Sequence, residues 1–228
     1  MSVKVSYIVT AARTILLDNF AYGDSSFSDA ELIGFVGRAT DFCADLSGSC
    51  NPVTKPLTLT SGTAQKLPET GGRILGFLHN DLADARFKVG SISYKGKHAP
   101  REITYDSLIA QIPAFASTTP SAGVVHICFD PVSPKEFVVY PPNNGAGKLI
   151  VRYTERPAHV TALTDDFPLG AEFYEPVINY VLFLCLSRDG EDTANSTRSA
   201  DFLKMASMSL QGTDALKMTL SARPTMRT

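Results

Sequence analysis

Residues 173–210 read FYEPVINYVLFLCLSRDGEDTANSTRSADFLKMASMSL. The first half is apolar almost without interruption. Phe173, Val177, Tyr180, Val181, Leu184 and Cys185 recur at helical spacing, and Ile178, Leu182 and Leu186 widen that face until little of the helix is polar. A charged turn runs from Ser187 to Asp192. The second half is amphipathic, with Phe202, Ala206 and Leu210 on one stripe, Leu203 beside it, and Asp201 and Lys204 on the wet side. The spacing predicts a helical hairpin. A hairpin this apolar needs other helices or other subunits over it.

Two more helices are predicted near the N-terminus. Residues 3–17 place Tyr7, Ala11 and Ile15 on one row, with Ile8, Ala12 and Leu16 beside it. Ser28 is an N-cap whose capping box is completed by Glu31, and Leu32, Phe35, Val36, Ala39, Cys43 and Leu46 follow at helical spacing. Gly34 and Gly37 each cost that helix about 1 kcal/mol against alanine, which predicts a close backbone neighbour. Gly48 and Pro52 end it.

From Lys55 the period changes. Leu57–Thr60, Phe87–Tyr94 and Lys148–Tyr153 alternate, and Arg73–Leu78, Val124–Phe129 and Phe137–Tyr140 are β-rich, all punctuated by Gly and Pro. Short strands so spaced predict an antiparallel sandwich or barrel. The run YPPNNGAG at 140–147 reads as a hairpin tip, and residues 155–170 as a polar connector. Gly212 reads as a helix stop. Beyond it, Lys217, Arg223 and Arg227 stand against Asp214 alone, without a helical period. The predicted fold class is therefore α+β. A four-helix bundle comes from residues 1–50 and 168–212, a β-sandwich or barrel module occupies 51–167, and an extended C-terminal arm covers 213–228.

A net charge of −2 gives no global basic field to attract nucleic acid. Cys43, Cys50, Cys128 and Cys185 form no CxxC pair, and Cys43 and Cys185 read as buried free thiols of a protein folded in a reducing cytoplasm. MSVKVSYIVTAAR has no apolar block followed by a cleavage site, so no signal peptide is expected. The most apolar run, Val177–Leu186, falls far short of the ~20 residues that cross a bilayer, so no membrane partner is expected.

Catalytic signals are weak. His79, His98, His126 and His159 are scattered over strands and loops with no metal-ligand spacing. Asp165 and Asp166 read as an ordinary polar turn. Gly145-Ala146-Gly147-Lys148 lacks the first glycine and the hydroxyl of a phosphate loop, and opens a strand instead of a helix. Arg13 and Arg38 read as a solvated helix face. The basic strand–turn from Phe87-Lys88 to His98 reads as a soluble loop, with a polyanion contact as its rival. No catalytic residue, cofactor or metal is expected.

Four stretches resemble the head-to-tail adaptors of short-tailed phages, also called tail tubular protein A or phage adaptor proteins. They are Tyr7–Asp18 (YIVTAARTILLD), Phe27–Leu32 (FSDAEL), Phe129-Asp130-Pro131 with FVVYPP at 137–142, and Tyr174–Asp189 continuing to Leu210. The family often has Trp where this chain has Phe27, and Asp189-Gly190-Glu191 keeps its acidic pair. The resemblance implies a non-enzymatic virion protein of the phage neck, made in the host cytoplasm. It implies a homo-oligomeric ring, usually of twelve copies, under the portal protein and above the tail nozzle, with tail fibres as further partners and DNA passing through the lumen without sequence-specific binding. The expected oligomer and portal contacts are Tyr174, Tyr180, Arg188 and Phe202 on the hairpin, and Lys217, Leu220, Arg223 and Arg227 on the arm. The alternatives are a glycan-binding or hydrolase β module carried on helices, which needs a cleft with convergent polar groups, and an assembly factor absent from the mature particle.

Overall fold

The computed structural model describes residues 3–17, 26–83, 85–129, 132–188 and 193–221. Its helices are α1 (Val5–Leu16), α2 (Asp29–Leu46), α3 (Tyr105–Gln111), α4 (Tyr174–Arg188) and α5 (Thr193–Ser221). Its strands are β1 (Pro52–Thr58), β2 (Gly62–Lys66), β3 (Gly71–Asn80), β4 (Phe87–Val89), β5 (Ile92–Tyr94), β6 (Arg101–Glu102), β7 (His126–Phe129), β8 (Glu136–Asn143) and β9 (Lys148–Glu155). The fold is mixed α and β. Contacts divide the chain into two compact units, Met1–Asn51 with Arg156–Thr228, and Pro52–Glu155.

In the first unit α1, α2, α4 and α5 feed one core. It contains Val5, Ile8, Val9 and Ala12 of α1, Leu32, Val36, Ala39 and Cys43 of α2, Val177, Ile178, Val181, Leu182 and Cys185 of α4, and Leu210 of α5. Eight of the fifteen residues of α4 are buried, as its all-round apolarity demands. The capping box at Ser28 and Glu31 forms in both directions. Small residues bring α4 and α5 together. Ser199 and Ala206 are buried, the Ser187 and Ser199 hydroxyls lie 2.7 Å apart, and Ser187 donates to the Phe183 carbonyl at 2.7 Å. Residues 156–170 hold no helix, yet they pack: the Val5 and Ser6 amides donate to the carbonyls of Asp165 and Leu163, and Phe167 is buried.

Three expectations change here. Of the two rows predicted for α1, the one with Ile8 and Ala12 is buried, whereas Tyr7 and Ile15 are 55% and 45% exposed. No backbone approaches Gly34, and the neighbour at Gly37 is the His159 ring, 3.4 Å from where a Cβ would stand. The arm is not extended across residues 213–221, because α5 runs straight through Gly212 to Ser221. The reason is tertiary: side chains of the last turns hold the loop that follows α2, as described below. Residues 222–228 lie outside the described residues.

The second unit has one sheet ordered β1-β9-β3, one ordered β2-β8-β7-β6, and the separate β4-β5 hairpin. All pairings are antiparallel except β6 with β7. Leu57, Ile74, Leu149, Val151 and Tyr153 of the first sheet share a core with Ile127, Phe137 and Val139 of the second. Neither sheet closes into a barrel. The predicted hairpin tip at 140–147 is a corner between sheets, since β8 pairs with β2 and β7 while β9 pairs with β1 and β3. Asn143 builds that corner. It is fully buried, its Oδ1 accepts from the Gly145 and Gly147 amides, and its Nδ2 donates to the Ser121 and Ala122 carbonyls. The helix α3 was not anticipated. It is capped by Thr104, whose Oγ1 accepts from the Ser107 amide, and it buries Leu108 against Phe115 and Cys128.

Asn80, at the end of β3, is equally buried. Its Nδ2 donates to the His98 and Val124 carbonyls at 2.7 and 2.8 Å, and its Oδ1 accepts from the Val124 amide at 2.7 Å. Asn80→Ala strands those groups, each costing about 1–3 kcal/mol. The variant is expected to unfold at clearly lower urea concentration than the parent chain by circular dichroism; an unchanged midpoint contradicts this account of Asn80.

Candidate functional site

The first unit carries exposed apolar side chains that its own core does not use. On α5 these are Met205, Met208 and Leu216, 48%, 61% and 62% exposed. Offsets of three and eight residues put them on one side of the helix, opposite Ala206 and Leu210. On α1 they are Tyr7 and Ile15, four residues times two apart, with Leu17 just beyond the helix. At 29 residues, α5 is about 44 Å long, so its outward face is extensive.

The C-terminal turns of α5 are locked in place by a polar clamp. Asp214 accepts from the Ser47 hydroxyl at 2.7 Å and from the Gly48 and Ser49 amides at 3.1 Å each. Lys217 donates to Glu172 at 2.6 Å, reaches the Ser49 carbonyl at 3.4 Å, and sits 4.9 Å over the Phe173 ring. The carboxylate of Asp214 thus finishes the end of α2, and Lys217 ties α5 to the start of α4. Burial opposes the charge on Asp214, but the donors from residues 47–49 outweigh it and hold its pKa below the usual carboxylate value.

The contact residues predicted from the sequence are mostly engaged inside this unit. Tyr174 packs its ring 5.8 Å from Tyr7 and 5.2 Å from Phe167. Tyr180 stacks on Phe42 at 4.1 Å. Arg188 donates to Glu31 at 2.6 Å and lies 5.5 Å over the Phe27 ring. Phe202 is half-buried against the core, and Lys217 belongs to the clamp. Leu220 lies on α5, with its side chain outside the described residues, as are Arg223 and Arg227. Sequence reasoning does not single out Met205 and Met208, because a stripe opposite a good amphipathic face reads as solvent-facing.

Candidates for chemistry find structural partners instead. Arg13 is not a solvated residue: its guanidinium donates to the Phe27 carbonyl and to Asp29 at 2.9 and 2.8 Å, joining α1 to the start of α2. Asp165 caps its own turn through the Thr161 and Ala162 amides, while Asp166 pairs with Lys4 at 2.7 Å. His159 lies 2.9 Å from Asp41. All four cysteines are buried and form no disulfide, and burial pushes the Cys50 thiol up to about 12. Among the described residues, no three His, Cys, Asp or Glu side chains gather as metal ligands, and no helix is long and apolar enough to cross a membrane. The second unit has a cleft of about 670 Å³ lined by Ala64, Lys66, Tyr105, Cys128, Phe129 and Val138 among others. Its walls bring no histidine to a nucleophile, and burial raises the Cys128 thiol.

The chain thus combines exposed apolar helix faces with polar clusters that brace its helical unit. It matches the family described as SU10 adaptor protein over residues 4–225. The chain belongs to that family and is a structural phage adaptor of the head-to-tail type. No curated protein matches it.

Two outcomes follow for the clamp. Asp214→Ala is expected to destabilise the chain by about 1–3 kcal/mol, which lowers the melting temperature by roughly 2–4 °C per kcal/mol in a chain of this size. Because the folded pKa of Asp214 is depressed, its contribution is full above the ordinary carboxylate range and is lost as pH falls through the folded value. The gap between parent and Asp214→Asn in thermal melts should therefore narrow on acidification; a gap independent of pH contradicts an ionised clamp.

Proposed function

We propose that this adaptor forms a ring, of twelve copies, that connects the portal protein to the tail nozzle and lines the DNA exit channel. The observation that carries the reading is the unpartnered stripe of Met205, Met208 and Leu216 on α5. A closed ring needs a heterologous interface, in which two different surfaces of one chain meet on neighbouring copies. The helical unit offers two such surfaces, the α5 stripe and the α1 row of Tyr7 and Ile15. The methionines suit this role, since flexible thioether side chains fill irregular gaps against a partner.

In this reading Tyr174, Tyr180, Arg188, Phe202 and Lys217 hold the two surfaces in shape from behind. The segment with Leu220, Arg223 and Arg227 reaches the portal, and the β unit faces the nozzle or fibres. DNA passes through the lumen without sequence being read.

The test is Met208→Asp combined with Leu216→Asp, analysed by sedimentation alone and with the portal protein of the same phage. Both side chains are exposed, so the variant is expected to keep the parent's melting temperature. The parent should form a ring-sized complex on the portal, and the variant should remain monomeric or bind with at least about tenfold lower affinity, the effect of losing roughly 1.4 kcal/mol. A variant that assembles like the parent contradicts the proposal. A chain that binds portal yet is missing from purified virions favours the assembly-factor alternative.

A further inference from the structure

The β4–β5 hairpin is a separate two-stranded ribbon whose basic residues take no part in the proposed ring contacts. Residues 85–101 contain Arg86, Lys88, Lys95, Lys97 and Arg101 and no acidic residue, although the chain as a whole is net negative. All five are exposed. Lys88, Lys95, Lys97 and Arg101 form no ion pair among the described residues.

The two faces of the ribbon are chemically opposite. Phe87 pairs with Tyr94 and Val89 with Ile92, so these four side chains share one face, and the Lys88–Ser93 pair takes the other. Arg86 lies on the Lys88 face, since its Nε donates to the Ser93 hydroxyl at 3.0 Å. Lys95 directly follows β5, and Lys97 lies in the turn after it. The Lys88 face therefore presents hydrogen-bond donors and positive charge, with small serines between them.

The ribbon is anchored in the second unit by packing and by its base. Phe87 is buried, stacks on Tyr94 at 5.3 Å, and lies so close to Gly123 that a Cβ there would stand 2.3 Å from its ring. At the base, the Asn80 amide donates to the His98 carbonyl at 2.9 Å, and Gly96 sits against the Ala85 carbonyl with no room for a side chain.

We propose that the Lys88 face of this hairpin binds the phosphate backbone of duplex DNA. Lysine, arginine and serine donors are the groups that contact phosphates, and such contacts position a duplex without reading its sequence. A two-stranded ribbon also has dimensions that fit a DNA groove. An acidic protein surface is a poorer occupant, because protein interfaces are depleted in lysine and anchored by aromatic side chains, and here the aromatics are turned to the opposite face. The site belongs to the single chain and does not depend on a ring.

The experiment is fluorescence anisotropy of a labelled random-sequence duplex titrated with the full-length chain from about 50 to about 200 mM salt. Lys88→Gln, Lys95→Gln and Lys97→Gln together should leave the melting temperature unchanged and lower the salt slope by about 1 for each lysine removed. Removing Lys66, Lys148 and Lys204 in the same way should leave the slope nearly unchanged. Four results would overturn the proposal: a parent chain without salt-dependent binding, a triple variant that binds like the parent, an equal loss in the control triple, or tighter binding to poly-glutamate than to the duplex. Because the titration reads the monomer, its failure leaves the ring reading standing, and failure to form a ring leaves this binding intact.

Discussion

Everything in the helical unit depends on covering α4. Val177, Val181, Leu182 and Cys185 are fully or almost fully shielded, and complete burial of one large apolar side chain is worth about 1.5–3 kcal/mol. No single neighbour has enough surface to supply this. Helices α1 and α2 come from one end of the chain and α5 from the other, so the unit exists only when both ends meet around α4. The β unit is thereby confined to a position in the sequence where it leaves and returns without breaking that core. Arg156, where the chain re-enters the helical unit, pairs with Asp45 of α2.

The same constraint explains why α5 is long. Residues 193–210 are needed to cover α4, through Ser199, Ala206 and Leu210. The residues beyond 210 continue the helix because Asp214 and Lys217 hold the loop after α2 and the turn before α4. Once extended for these reasons, the helix displays a second, outward side that has no role in folding. In the proposed ring the fold must be complete within one chain while apolar surface is left for neighbouring copies. On that proposal, the inward stripe of α5 serves the fold and the outward one serves the interface.

The helices α1, α2 and α4 were legible because each has a period, and α2 also has a local capping signal at Ser28 and Glu31. The continuation of α5 was not, since Gly212 is a local stop signal. It is overruled by Asp214, whose partners at Ser47–Ser49 lie more than 160 residues away; no local pattern announces that contact. The short strands were legible one by one, but their pairing was not. The corner at Asn143 has the composition of a hairpin tip, and only the burial of its amide makes it a crossing between sheets. The expected contact residues stand out by aromatic and cationic character, which also suits Tyr180 to stacking on Phe42 and Arg188 to pairing with Glu31. The methionine stripe carries no such signature, and exposure alone reveals it.

The most direct measurement is an electron cryomicroscopy reconstruction of this chain assembled on the portal protein of its phage. The account predicts a ring stacked on the portal in which Met205, Met208 and Leu216 of one copy lie against Tyr7 and Ile15 of the next. A complex without a ring, or a ring in which the outward face of α5 remains in solvent, would contradict it.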